Sequence, residues 1–272
     1  MPVPSGLLES YLGYAYVQSN YFTSGAIDLS GISWIYPTTL LPSIGLLVNH
    51  PDATYVPPRD PNVATYIDTM LMRDFHHVSS SASYVPIVAL PENEKELDPV
   101  LRRLYGLNKD GKDYGGQNAF KYLVGELVTN VYEHSGFSHA LVMAQKYQSK
   151  GFVDISFYDD GRTIPGSLSA AGMIFNNDVE SIVEAVNGLS SKETEGRGYG
   201  LQTNVRICTE GLGAKILIVS RNGALSFESP EPKGYMLRDA YKLQGTSINI
   251  RLPYPAQEVD IIEYIEGERV RD

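Results

Sequence analysis

Apolar positions recur with helical spacing most regularly in the second half of the chain. Residues 117–134 predict a helix with Phe120, Leu123, Val124, Leu127 and Val131 on one face. Residues 139–145 and 153–158 read as two strands around a turn at 148–151. Helices are predicted over 178–186 and 200–208, the second ended by Gly211 and Gly213. Strands over 215–220 and 224–227 flank Arg221, Asn222 and Gly223. Asn-Gly favours a hairpin there because both residues tolerate positive φ. A last strand covers 246–252. The order helix, hairpin, helix, helix, hairpin, strand predicts an α/β sandwich, a mixed sheet covered by helices on one face.

The first half is less periodic. Residues 26–29 and 33–36 are strand-like, and 39–47 present Leu40, Leu41, Ile44 and Leu47 as a helix face. Pro61 opens a helix that runs to residue 72, with Val63, Ile67, Met70 and Leu71 near helical spacing. A strand follows over 84–90. This alternation predicts a small α/β unit within residues 1–98. A turn-rich connector over 99–116 would separate it from a second domain over 117–255 and an acidic tail over 256–272.

Composition narrows the function classes. With 43% hydrophobic and 20% charged residues the chain can bury a sizeable core. The net charge of -10 disfavours a large nucleic-acid footprint, which Lys and Arg would have to supply. Cys208 is the only cysteine, so no intrachain disulfide or thiolate zinc cluster can form, and its apolar neighbours predict a buried thiol. The longest apolar stretch, 32–48, is broken by Pro37 and Pro42 and reads as core rather than a membrane span. The N-terminus lacks the features of a secretory signal, and a cytoplasmic location without membrane association is expected.

Three segments carry candidate chemistry. In the first, Glu126, Asn130 and His134 are spaced by four and stack along one side of the predicted helix, beside its apolar face. An Asn oxygen and a carboxylate together can hold Mg²⁺ or its waters, and the carboxylate can accept a proton. An ordinary amphipathic helix with solvated polar residues explains this segment equally well. The second is a strand that delivers Asp159 and Asp160 into a turn at Gly161. A carboxylate there can accept from an exocyclic amine, although Asp-Gly is also a common surface turn. The third is the glycine cluster Gly196, Gly198 and Gly200, with Arg197, Tyr199 and Leu201, leading into a helix. Converging backbone amides and a helix start favour phosphate. Taken alone, the cluster is more simply a flexible loop.

In order and spacing together, the three segments resemble the GHKL superfamily. That group includes sensor histidine kinase ATP domains, anti-sigma-factor serine kinases and DNA gyrase B. The wording around Asn130 is most similar to the serine kinases. The resemblance covers residues 117–253 and implies a Bergerat-type ATP-binding fold. It implies Asn130 as the magnesium holder and Glu126 as general base, also near the metal. His134 would lie beside the phosphates and Asp159 would read adenine. Gly161 matches the first glycine of the adenine motif, and Thr163 stands where a second is expected. Gly196 to Leu201 would cradle phosphate, Thr246 would join the adenine pocket, and residues 167–194 would form a lid. Residues 27–47 and 66–75 more weakly resemble a STAS-like regulatory unit. His76 and His77 read as a polar helix end rather than a phosphorelay site.

These implications define the expected function. It is a regulatory protein that binds ATP and Mg²⁺ and acts as an ATPase or a serine/threonine protein kinase. The alternative is a non-catalytic ATP-dependent switch. A regulatory protein partner and a homodimer are implied, and nucleic acid is not.

Overall fold

The central strand, β5 (Phe152–Asp159), is buried along seven of its eight residues. A strand with one wet face would alternate, so this run needs cover on both sides. The structure is a computed structural model that describes residues 4–71, 83–106, 113–191 and 200–269. In it β5 lies near the middle of a seven-stranded sheet. The order is β3 (Tyr84–Ala89), β4 (Ala140–Tyr147), β5, β9 (Leu243–Pro253), β6 (Lys215–Arg221), β7 (Gly223–Ser226), β8 (Lys233–Met236). Every neighbouring pair is antiparallel.

Strand alternation assigns the two faces. Val153, Ile155 and Phe157 point to the front, where α5 (Gln117–Asn130), α7 (Asp178–Val186) and α8 (Gly200–Arg206) close the first core. Leu141, Met143, Tyr158, Leu217 and Val219 point to the back. There α1 (Leu7–Ser24), α2 (Pro37–Asn49) and α3 (Pro61–Met70) form a second core with them. The strands β1 (Ala26–Asp28) and β2 (Thr54–Val56) pair in parallel across α2, a small βαβ unit. The Glu228 carboxylate accepts from the first free amides of α1, Leu7 N–H at 2.7 Å and Leu8 N–H at 3.1 Å. Cys208 is buried, as its neighbours predicted.

Several expectations are corrected here. The sheet is antiparallel rather than mixed, and helices cover both its faces rather than one. β3, assigned from sequence to the unit over 1–98, is an edge strand of the large sheet. The polar residues on the back of β5 and β9 are largely satisfied by one another. Ser156 donates to Asn249 at 2.8 Å, Asn249 donates to Ser247 at 3.0 Å, and Arg251 holds Asp154 through two bonds of 2.7 and 2.8 Å. The hairpin turns at Arg221 and Asn222, where Arg221, not Asn or Gly, adopts φ 54°. Asp178 compensates that strain by accepting from Arg221 Nε at 2.8 Å and from Asn222 N–H at 3.0 Å. The supposed tail contains α9 (Ile262–Arg269), preceded by a bridge between Tyr114 and Ala256. Among the described residues no helix is long and apolar enough to cross a membrane.

Candidate functional site

Three adjacent strands share one irregularity. Along the front of β5 the residues run Val153, Ile155, Phe157, then Asp159. Along β9 they run Leu252, Ile250, Ile248, then Thr246, and along β6 they run Ile216, Ile218, then Ser220. Each apolar stripe turns polar at the same end of the sheet. Register puts the three polar residues side by side, with Asp159 opposite Thr246 and Thr246 opposite Ser220. The two hydroxyl oxygens are 2.9 Å apart. Ser220 also accepts from Ile164 N–H at 2.8 Å, which anchors α6 (Ile164–Ala170) beside them.

Asp159 and Thr246 of this patch line a cavity of about 720 Å³ between the sheet and the front helices, with Ser220 buried behind them. Asp159 is only 5% exposed there. Its Oδ1 accepts from Gly161 N–H at 3.0 Å. Among the described residues Oδ2 has no partner, so one acceptor is left for whatever fills the cavity. Burial pushes the Asp159 carboxyl up to about 8, against the smaller opposing effect of the Gly161 bond.

The turn after Asp159 is fixed against the end of α5. Arg162 N–H donates to Ser135 O at 2.5 Å. A Cβ at Gly161 would overlap that same carbonyl. Gly245 has φ 96°, and a Cβ on it would overlap the carbonyl oxygen of Asp159. Both glycines are therefore required for β5 and β9 to bring Asp159 and Thr246 together. Thr163 does not narrow the cavity. Its hydroxyl turns to α6 and accepts from Gly166 N–H at 3.0 Å as the helix cap.

The opposite wall belongs to α5 and the start of α8. Glu126, Asn130 and His134 all line the cavity, as their spacing predicted. After Asn130 the α-helix widens into a π-helical turn, Val131–Ser135, a distortion frequent at functional sites. Gly200 lies so close to Glu126 that a Cβ there would come within 2.6 Å of its Oε2. Glu126 is half-buried. Desolvation raises its carboxyl above the usual range, and the nearby Glu133 charge adds to the effect. His134 Nδ1 lies 3.0 Å from Ser191 Oγ, which lies 3.0 Å from Ser167 Oγ.

Glu126, Asn130, His134, Asp159, Gly200, Leu201 and Thr246 are thus gathered around one cavity. Gly161 and Thr163 shape its turn from outside the lining. Gly196, Arg197, Gly198 and Tyr199 lie outside the described residues, as do His76 and His77. Within the expected lid, residues 167–191 carry most of α6 and all of α7. Ser220 and Ile265 were missed by sequence reading, and Ser167 and Ser191 were placed only within the expected lid. The polar end of an apolar stripe was the available signal for Ser220. The others depend on tertiary contacts.

The cavity thus has the Asp159 carboxyl and the Thr246 hydroxyl on its sheet side and Glu126 and Asn130 on its helix side. Among the described residues no three His, Cys, Asp or Glu side chains gather into a metal site. Mg²⁺ commonly takes only one or two protein ligands and completes its shell with phosphates and water. Asn130 and Glu126 fit that pattern. Compared with known proteins, the chain matches no family model, no curated protein and no solved structure.

Proposed function

We propose that the cavity binds Mg–ATP in a Bergerat-type arrangement and supports slow γ-phosphoryl chemistry, as the GHKL resemblance implies. One observation carries this reading. Asp159 and Thr246, drawn from separate motifs, are register partners at one end of a cavity walled by Glu126 and Asn130. The other Asp159 oxygen, once the carboxyl gives up its proton, would accept from the exocyclic amine of adenine, with Thr246, backed by Ser220, beside it. The phosphates would then run along α5 towards Glu126.

Asn130 and Glu126 would hold magnesium, which supplies charge neutralisation on the phosphate oxygens when bound. Gly200 and Leu201, at the start of α8, line the same cavity and would lie beside those phosphates. Glu126, raised by its partly desolvated setting, would take the proton of an attacking hydroxyl. Phosphoryl transfer demands mainly positioning and charge stabilisation, so the same wall can serve water or a serine hydroxyl.

The test is incubation with γ-labelled ATP and Mg²⁺, with Asn130→Ala as control. Label in free phosphate that disappears in the variant means an ATPase. Label on protein means a kinase. Binding of ATP without release of label would favour the non-catalytic switch. Failure to bind Mg–ATP at millimolar concentration would sink the nucleotide reading.

A further inference from the structure

The proposed nucleotide would have a direction in this cavity, and the C-terminal helix contributes a lining residue, Ile265. The purine end is set where the Asp159 turn meets Ser135, at the C-terminal end of α5 and its π turn. Going back along α5, the lining residues Asn130, Glu126 and Tyr122 follow at intervals of one turn. Eight residues of helix span about 12 Å. The terminal phosphate would therefore point past Glu126 towards Tyr122, and an acceptor would have to enter from that side.

The C-terminal segment lies at that end of α5. Ala256 N–H donates to Asp113 O at 3.0 Å and Val259 N–H to Gly115 O at 3.1 Å, immediately before α5 begins. α9 follows three residues later, and its Ile265 joins Tyr122 and Leu201 in the cavity lining. Among the described side chains, Ile261 and Tyr264 pack partly buried at the rim of the first core. Tyr264 sits 5.6 Å under the Arg206 guanidinium, with its hydroxyl turned to Gly211 rather than into the cavity. Ile262 is 54% exposed. Residues 255–272 contain no serine or threonine, so the segment presents no Ser or Thr hydroxyl to a phosphate.

We propose that α9 is a cis-acting plug: Ile265 occupies the acceptor end of the cavity and must withdraw before water or a protein hydroxyl reaches the terminal phosphate. The proposal rests on the Mg–ATP reading. The anchor at Ala256 and Val259 stays in place while α9 swings, because those bonds precede the helix. Tyr122 and Leu201, which line the same cavity and pack partly buried against the first core, give that end apolar walls. An acceptor segment with an apolar side chain beside its hydroxyl would replace Ile265 in kind.

The test compares the full chain with two variants, deletion of residues 261–272 and Ile265→Asp. Folding is checked by circular dichroism, and Mg–ATP affinity with a fluorescent ATP analogue. Both variants are expected to keep the affinity and release phosphate about tenfold faster, the gain from removing a closed state populated to about 90%. A folded variant with intact affinity and the original rate overturns the plug. If the deletion fails to fold, Ile265→Asp decides alone. Absence of analogue binding by the full chain would overturn the nucleotide reading, and the plug with it.

Discussion

Gly45 and Tyr158 meet across the back of the sheet so closely that a Cβ at position 45 would overlap the tyrosine ring. Tyr158 precedes Asp159 on β5, and successive strand residues face opposite sides. The helix behind the sheet thus braces the strand that presents the buried carboxylate in front. Asn49, at the end of the same helix, extends the brace. Its Oδ1 lies 2.9 Å from His139 Nδ1, which is 3.0 Å from Asp160 Oδ2. Gly45→Val is expected to cost about 1–3 kcal/mol through overpacking and to weaken Mg–ATP binding. Thermal melts and a nucleotide titration measure the two effects. A lowered melting temperature with unchanged affinity would show that the brace does not reach the site.

Asp159 makes stability fall with rising pH. Its folded carboxyl lies at about 8, above the ordinary value of 3.8. Between these values the folded chain holds a proton that the unfolded chain has lost. The stability associated with that proton is fully present below about 4 and is lost as pH rises through about 8. Asp159→Asn removes this dependence, so its melting temperature should gain on the parent as pH goes from 5 to 8. ATP binding should be weaker in the variant, because an amide can turn a donor towards the adenine amine. An unchanged difference in melting temperature across that range would rule out the raised carboxyl.

Much of the front half of the molecule was legible in sequence because its helices and strands obey simple periods. α7 was predicted to the residue, and the candidate site was assembled from α5, β5, α8 and β9. The back layer was legible only in part: β1, α2 and α3 followed their patterns, but α1 was missed. α1 buries Ser10 and Gln18 along with Leu7, Tyr11 and Tyr14, which blurs its apolar face. Gln18 accepts from Tyr14 OH on the same helix, but its amide donates to Lys242 O at 2.6 Å, more than two hundred positions away. Asp154, Ser156, Asn249 and Arg251 look like solvent-facing positions until the partners that neutralise them are seen. Arg221 took the turn position that Asn-Gly seemed to claim, because Asp178 holds it there. In each case a contact distant in sequence overrode a sound local preference.

Gly161→Ala and Gly245→Ala separate geometry from chemistry at the purine end. Neither substitution removes a side chain of the site. The first drives a methyl into Ser135 O and the second into Asp159 O. At position 245 the positive φ adds strain that an alanine cannot relieve. Both should abolish detectable Mg–ATP binding, and Gly245→Ala should also lower the melting temperature by more than Gly161→Ala. Retained affinity in Gly161→Ala would mean that the turn can move without disturbing Asp159.

Glu126→Gln tests the base assignment on the opposite wall. The amide keeps the shape beside Gly200 but cannot accept a proton. Turnover of labelled ATP should fall by about 100-fold, the lower range of general-base contributions, while ATP still binds. The variant should also lose the pH dependence that a raised carboxylate imposes on turnover. Normal turnover with normal binding would remove Glu126 from the chemistry.

Trp34 allows the back layer to be watched by itself, since it is the only tryptophan in the chain. Its ring lies 3.9 Å from Lys150 Nζ, which also donates to Tyr36 OH at 2.9 Å. Lys150 sits in the turn joining β4 and β5, so this cluster fastens the N-terminal layer to the sheet. With both cores sharing the same strands, unfolding followed by Trp34 fluorescence and by far-ultraviolet circular dichroism should coincide in one transition. Lys150→Met should shift both curves together, by about 0.5–1 kcal/mol for a cation–π contact at an exposed site. Its emission should change before denaturant is added, because the charge beside the indole is gone. Two separated transitions, with fluorescence moving first, would instead show that the N-terminal layer folds and docks as an independent unit.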